Sequence, residues 1–173
     1  MSLLRRAALA ALDAGCRPVI VVTGAYAELS RRELDGLEVL EVLNTVWETG
    51  MASSIRMGVE RLVGADAGAD AAVLMLCDQP HVNARVISAL VAAHRATQSP
   101  LVASAYGGSF GVPALFSRTL FAELTHLRGQ SGAKEVIRKH AQEAHLLPFR
   151  DGEVDLDTPD DFSRLVMKDV ERG

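Results

Sequence analysis

The run Ala71-Ala72-Val73-Leu74-Met75-Leu76-Cys77-Asp78-Gln79-Pro80 decides the fold of this 173-residue chain. Residues 71–76 are apolar without a break, which fits a strand buried on both faces better than one alternating between core and solvent. A carboxylate, Asp78, follows directly, and Pro80 stiffens the turn that aims it. Downstream, residues 83–96 read as a long amphipathic helix, Pro100 stops it, and residues 101–106 form another strand. Strand, helix and strand in that order form the unit from which parallel sheets are built.

The same alternation extends toward the N-terminus. Residues 51–63 read as a helix to which Ser53 and Ser54 are offered as caps, 40–43 as a strand, 30–37 as a short polar helix, and 19–22 as a continuous apolar strand. Before these, Leu3, Leu4, Ala7, Ala8, Leu9 and Leu12 recur at helical spacing until Gly15 ends the run. Toward the C-terminus the rhythm changes. Tyr106 is followed by Gly107-Gly108-Ser109 and a second apolar stretch at 112–116, a hairpin or an extended crossover. Helices at 118–124 and 132–140 follow, with Cys77 expected at a buried strand end and a short strand at 145–147. A last helix starts behind Thr158-Pro159. The reading is an α/β domain with a mainly parallel sheet, one domain over residues 1–173.

Composition excludes several classes. Apolar residues at 49% and charged residues at 23% describe an ordinary globular chain, and a domain of this size buries roughly 70% of its unfolded surface without disulfide or metal staples. A net charge of −4 with no long Lys/Arg run argues against nucleic acid as a partner. Cys16 and Cys77 stand far apart without CxxC spacing, which fits a reducing, cytoplasmic setting. The apolar stretch at 3–14 is interrupted by Arg5 and Arg6 and falls short of the roughly 18 residues of a membrane span, so it reads as neither signal peptide nor anchor.

Ligands of open α/β sheets bind at the carboxyl ends of the strands. Asp78 stands there, where a carboxylate can hold a hard cation such as Mg²⁺; the competing reading is a capping or loop aspartate. Cys77 and His81 flank it without the second pair of ligands that zinc requires. The segment from Asn44 to Ile55 opens a helix and offers backbone N–H groups and two hydroxyls to an anion or a base edge, although capping explains the serines equally well. Trp47 is either a stacking surface or packing over the sheet edge. Asp155 and Asp157 supply two more carboxylates that alternation would point to one side; their other role is charge at a helix N-terminus. Gly107, Gly108 and Gly111 do not spell GxGxxG, and neither a GxxxxGK[ST] loop nor a GxSxG elbow occurs.

Five segments, in order, carry a resemblance: Trp47-Glu48-Thr49-Gly50-Met51-Ala52-Ser53-Ser54-Ile55, Leu76-Cys77-Asp78-Gln79-Pro80, Gly111-Val112-Pro113-Ala114-Leu115-Phe116, Gly129-Gln130-Ser131-Gly132-Ala133-Lys134 and Asp155-Leu156-Asp157-Thr158-Pro159. Together they resemble the MobA-like nucleotidyltransferases, and most of all the molybdenum cofactor cytidylyltransferase branch. The resemblance implies a Rossmann-like three-layer fold and transfer of CMP, or GMP, from a nucleoside triphosphate to a molybdopterin-type phosphate, with Mg²⁺ as charge partner. It implies Asp78 and Asp157 as catalytic residues, with Asp78, Asp155 and Asp157 as metal carboxylates. Gly50, Ser53, Ser54, Asp78, Gln79 and Pro80 would bind nucleotide, and Gly111, Pro113, Gly132 and Ala133 the acceptor.

The chain departs from the family pattern at three places. It opens at the helix that follows the family's first strand and glycine-rich loop, so that strand is missing from the expected sheet. Val112 stands where many relatives carry histidine, and Gln130 where they carry aspartate. Without an interior strand, the flanking strands are expected either to close up or to be paired by another chain, a homodimer being one form of that. A non-catalytic binding module on this fold and a sugar-phosphate nucleotidyltransferase are the alternatives; an NAD-type oxidoreductase lacks its fingerprint loop.

Overall fold

The computed structural model describes residues 1–149 and Gly152. Helix α1 (Leu3–Asp13) starts where the Ser2 hydroxyl accepts the Arg5 N–H, and it turns its buried alanines Ala8, Ala10 and Ala11 inward. Gly15, with φ of +79°, ends it and leads into β1 (Val19–Thr23). There follow α2 (Ala27–Leu34), β2 (Val39–Leu43), a 3-10 turn at Trp47–Thr49, α3 (Met51–Ala65) and β3 (Ala71–Leu74). Helix α4 (Ala84–Thr97) is capped by the Asn83 side chain, which accepts from the backbone of Arg85 and Val86. Then come β4 (Leu101–Tyr106), β5 (Ser109–Ser117), a 3-10 turn at Arg118–Leu120, α5 (Phe121–His126), α6 (Ala133–Lys139) and β6 (His145–Pro148).

The strands form two hydrogen-bonded ladders. β1 and β2 pair in parallel; the other ladder runs in the order β3, β5, β4, β6. β5 is antiparallel to both neighbours and β4 is parallel to β6, so β3, β4 and β6 share one direction and β5 opposes it. The open choice at 107–116 resolves into a hairpin. Tyr106 faces Ser109 across Gly107 and Gly108, whose φ values of 54° and 71° meet the demand of a tight two-residue turn for positive φ at both centres. No ladder joins β1 to β3 among the described residues, so the expected closing up of these two strands does not occur.

Three layers result. Residues 101–103 and 114–116 are buried on both faces, with successive side chains entering opposite cores. Leu101, Ala103, Ala114 and Phe116 pack with α3, α5 and α6; Val102 and Leu115 pack with Leu90 of α4. The two ladders are joined by side chains instead of hydrogen bonds. Val19 and Val21 of β1 and Val73 of β3 share one cluster with Ala10 and Ala11 of α1 and Ile87 of α4. Burying one side chain such as Ile87, fully hidden here, contributes about 1.5–3 kcal/mol, and this shared cluster packs the two ladders against each other. Helix α3 carries the chain from the carboxyl end of β2 back to the start of β3, which leaves the carboxyl ends of the strands on one edge.

Candidate functional site

At that edge β3 stops at Leu74, earlier than the sequence implied, and Met75 to Asp78 leave the ladder. Cys77 is exposed, not buried at a strand end as expected. The turn faces outward here because the side chains that anchor it come after it. The residue as a whole reaches solvent but its sulfur is partly desolvated, and that desolvation, then the neighbouring Asp78 carboxylate, hold the Cys77 pKa above its ordinary value, which disfavours the thiolate that a nucleophile or metal ligand needs. Asp78 is half-buried, while Gln79 and Pro80 are buried. The Gln79 amide donates from Nε2 to the carbonyls of Val112 at 3.1 Å and Gly152 at 3.3 Å. The Tyr106 hydroxyl donates to the same Val112 carbonyl at 3.2 Å, and Ser104 Oγ donates to the Pro113 carbonyl at 2.6 Å. Gly111 leaves room for the Tyr106 hydroxyl, which a Cβ there would displace. The structure thus brings Asp78, Gln79 and Pro80 together with Gly111 and Pro113, residues more than thirty positions away.

A second interlock forms where α3 begins. Asn44, fully buried, donates from Nδ2 to Ser53 Oγ at 2.8 Å and to Ser54 Oγ at 3.0 Å, while its Oδ1 accepts the Val46 N–H at 3.0 Å. Ser53 also donates to the Gly50 carbonyl at 2.8 Å. The serines are therefore not helix caps as offered by the sequence; Gly50 holds the N-cap position, with φ of +114°, and the serines lie inside the first turn. Ser53 is buried with its hydroxyl both donating and accepting, and freeing it for a ligand would leave a buried amide unpaired, at a cost of about 1–3 kcal/mol. Ser54 is half-buried and only accepts. Opposite, the Ala52 N–H donates to the Gly129 carbonyl at 3.2 Å, and a Cβ on Gly50 would overlap that same carbonyl. Gly132 caps α6 against Met51, and Ala133 is buried behind it. Gly50, Ser53 and Ser54 are thereby brought to Gly132 and Ala133.

Trp47 packs its Cβ and Cγ over Gly24, where a glycine Cβ would come within 2.7 Å, and it stays 44% exposed. Leu43, Val46 and Met51 are exposed around it, giving an apolar rim beside the α3 N-terminus. Among the described residues no three of His, Cys, Asp and Glu gather as a ready metal cage; Asp78 supplies one hard oxygen donor, and Asp155 and Asp157 lie outside the described residues. Asn44 and Tyr106 are the site residues that sequence reasoning missed. The signal available for Asn44 was its place, the first residue past a strand.

A three-layer α/β body with interlocked loops at the carboxyl ends of its strands is an architecture that nucleotidyltransferases share with other families. Residues 1–144 match the MobA-like NTP transferase domain, and the chain belongs to that family. Purine catabolism protein PucB of Bacillus subtilis (strain 168) is 34% identical over 121 residues, 68% of this chain and 57% of that protein. The chain therefore spans little more than half the length of that curated relative. Among solved structures, Rv0371c from Mycobacterium tuberculosis H37Rv is 30% identical over 95% of this chain and 84% of its own, with a TM-score of 0.76. The same protein has been solved in complex with manganese, again at 30% identity and a TM-score of 0.76, over 95% of this chain and 86% of that one. A nucleotidyl transferase from Methanothermobacter thermautotroptrophicus shares the fold at a TM-score of 0.79, with 20% identity over 99% of this chain and 82% of its own. No helix among the described residues is long and apolar enough to cross a membrane.

Proposed function

We propose that the protein transfers a nucleoside monophosphate from a nucleoside triphosphate, CTP in preference to GTP, to the phosphate of a molybdopterin-type acceptor. An acceptor phosphate oxygen forms a bond to the α-phosphorus, the bond from that phosphorus to the bridging β-oxygen breaks, and pyrophosphate leaves with the electron pair. The observation that carries this reading is the convergence of the family's segments at one edge: the Asp78 turn is locked to the hairpin at Val112, and the α3 start is locked to Gly129. Asp78, half-buried at a strand end, is a hard oxygen donor suited to Mg²⁺ or Mn²⁺, with Asp155 and Asp157 as its proposed partners. A divalent cation held there would supply charge neutralisation to the phosphates.

The chain's own residues do the remaining work. The positive end of the α3 dipole favours an anion beside it, Ser54 and the Asn44 network shape the base side, and Gly111 with Pro113, both buried, backs the wall on the acceptor side. The Trp47 rim offers a flat apolar surface to a heteroaromatic ring.

The test is pyrophosphate release from CTP and from GTP with molybdopterin as acceptor, in Mg²⁺ or Mn²⁺. Asp78→Asn is expected to lower kcat at least about a hundredfold, since several kcal/mol of charge stabilisation goes with the metal, while the urea midpoint stays near that of the unaltered protein. Turnover equal in both proteins would overturn the assignment, and turnover with a sugar phosphate but not with a pterin phosphate would move the acceptor class.

A further inference from the structure

We infer that Gln79 is a positioning residue for the Asp78 carboxylate, and not a nucleotide contact; this rests on the nucleotidyl-transfer reading. Gln79 is 6% exposed, so its side chain has no surface to present to a nucleotide. Its Nε2 is shared between the carbonyls of Val112 and Gly152, which lie 33 and 73 residues away. One amide therefore fastens three separate stretches of chain: the turn that carries Asp78, the hairpin strand β5, and the segment after β6.

The geometry of the seam fixes the direction of the bracket. Both partners are carbonyls, so the amide nitrogen must face them, and the side-chain Oε1 is left buried without a partner. An unpaired buried acceptor is a net cost. A methionine of the same length would fill the space without that acceptor but would also withdraw the donor from both carbonyls, so what the amide adds beyond packing is its two donated bonds. Its two donated bonds hold the backbone one residue from Asp78 against a carbonyl already fixed by Tyr106. Pulling on that backbone moves the carboxylate, because Asp78 and Gln79 share a peptide unit that is rigid. A site that must hold a cation and a phosphate within a few tenths of an ångström depends on such support.

The experiment compares the unaltered protein with Gln79→Met, Gln79→Asn and Asp78→Asn. Mn²⁺ binding is followed by electron paramagnetic resonance, and pyrophosphate release is followed in parallel. Gln79→Met is expected to bind Mn²⁺ at least tenfold more weakly and to lose 10- to 100-fold in kcat, with the KM for nucleoside triphosphate changed less than threefold. A nucleotide contact would show the opposite split, a raised KM at constant kcat. Gln79→Asn keeps an amide but is one methylene too short to reach both carbonyls, so it is expected to show the same pattern at smaller size even if the methionine variant does not fold. Mn²⁺ binding lost in Asp78→Asn but retained within twofold in both Gln79 variants overturns the positioning role and leaves nucleotidyl transfer standing. Mn²⁺ binding unchanged in Asp78→Asn overturns the metal assignment and the positioning role with it.

Discussion

Gly50 and Gly15 both sit at positive φ, +114° and +79°, yet only one of them is confined. A Cβ on Gly15 meets nothing within 4 Å, whereas on Gly50 it would overlap the carbonyl of Gly129. Gly15→Ala is expected to cost about 1 kcal/mol from backbone strain alone, and Gly50→Ala about 2–5 kcal/mol, since strain and a backbone overlap add. Urea unfolding of the two variants measures the difference; equal costs would show that the 129–132 loop is not held against α3. At this scale the positions of some candidate residues in the fold were legible. Asp78 and Gly50 stand out because strand ends and helix starts are local features of the sequence. The roles of Asn44 and Gln79 were not legible, because each depends on partners 9 to 73 residues distant, and nothing in a side chain's own neighbourhood names them. Ser53 looks like a cap for the same reason: its hydroxyl is a good capping group until a buried asparagine claims it.

Helices α5 and α6 are joined at the surface by Glu123, which accepts from Lys139 Nζ at 2.8 Å and pairs with His140 Nε2 at 2.9 Å. The hydrogen bond from Lys139, then that from His140, hold the Glu123 pKa below its ordinary value of 4.5. A carboxyl depressed by folding contributes stability above its unfolded pKa and loses it as pH falls through the folded one. Glu123→Gln is therefore expected to be less stable than the unaltered protein at neutral pH, and the gap should close as pH drops from 4.5 downward. The gap is expected to stay under about 1 kcal/mol, because both partners reach solvent and salt screens them. Urea midpoints of the two proteins across this range decide it, and a gap that widens in acid would contradict the sign. Other elements followed the sequence closely. Helix α4 begins at Asn83 because its side chain is a local cap, and β4 spans the apolar run that announced it. β5 grew to nine residues because its ends pair with Tyr106 and Ala71, contacts that no local pattern encodes.

The two ladders set the behaviour of the whole molecule. β4 has a partner on each side, so its backbone groups pair in both directions, while among the described residues β1 and β3 each pair on one side only. Successive N–H groups of a strand point to opposite sides, so alternate amides of β1 and of β3 face away from any partner strand. The shared cluster of Val19, Val21, Val73 and Ile87 ties both ladders to α1 and α4, and subglobal opening must break that packing first. Native-state hydrogen exchange is therefore expected to show continuous protection along residues 102–105, and protection that alternates residue by residue along 19–23 and 71–74. Alternation measured at low protein concentration and replaced by continuous protection at high concentration would mean that a second copy pairs these edges, as a homodimer requires. Continuous protection at every concentration would mean that the edges are paired within one chain, which would contradict the separation of the ladders seen here.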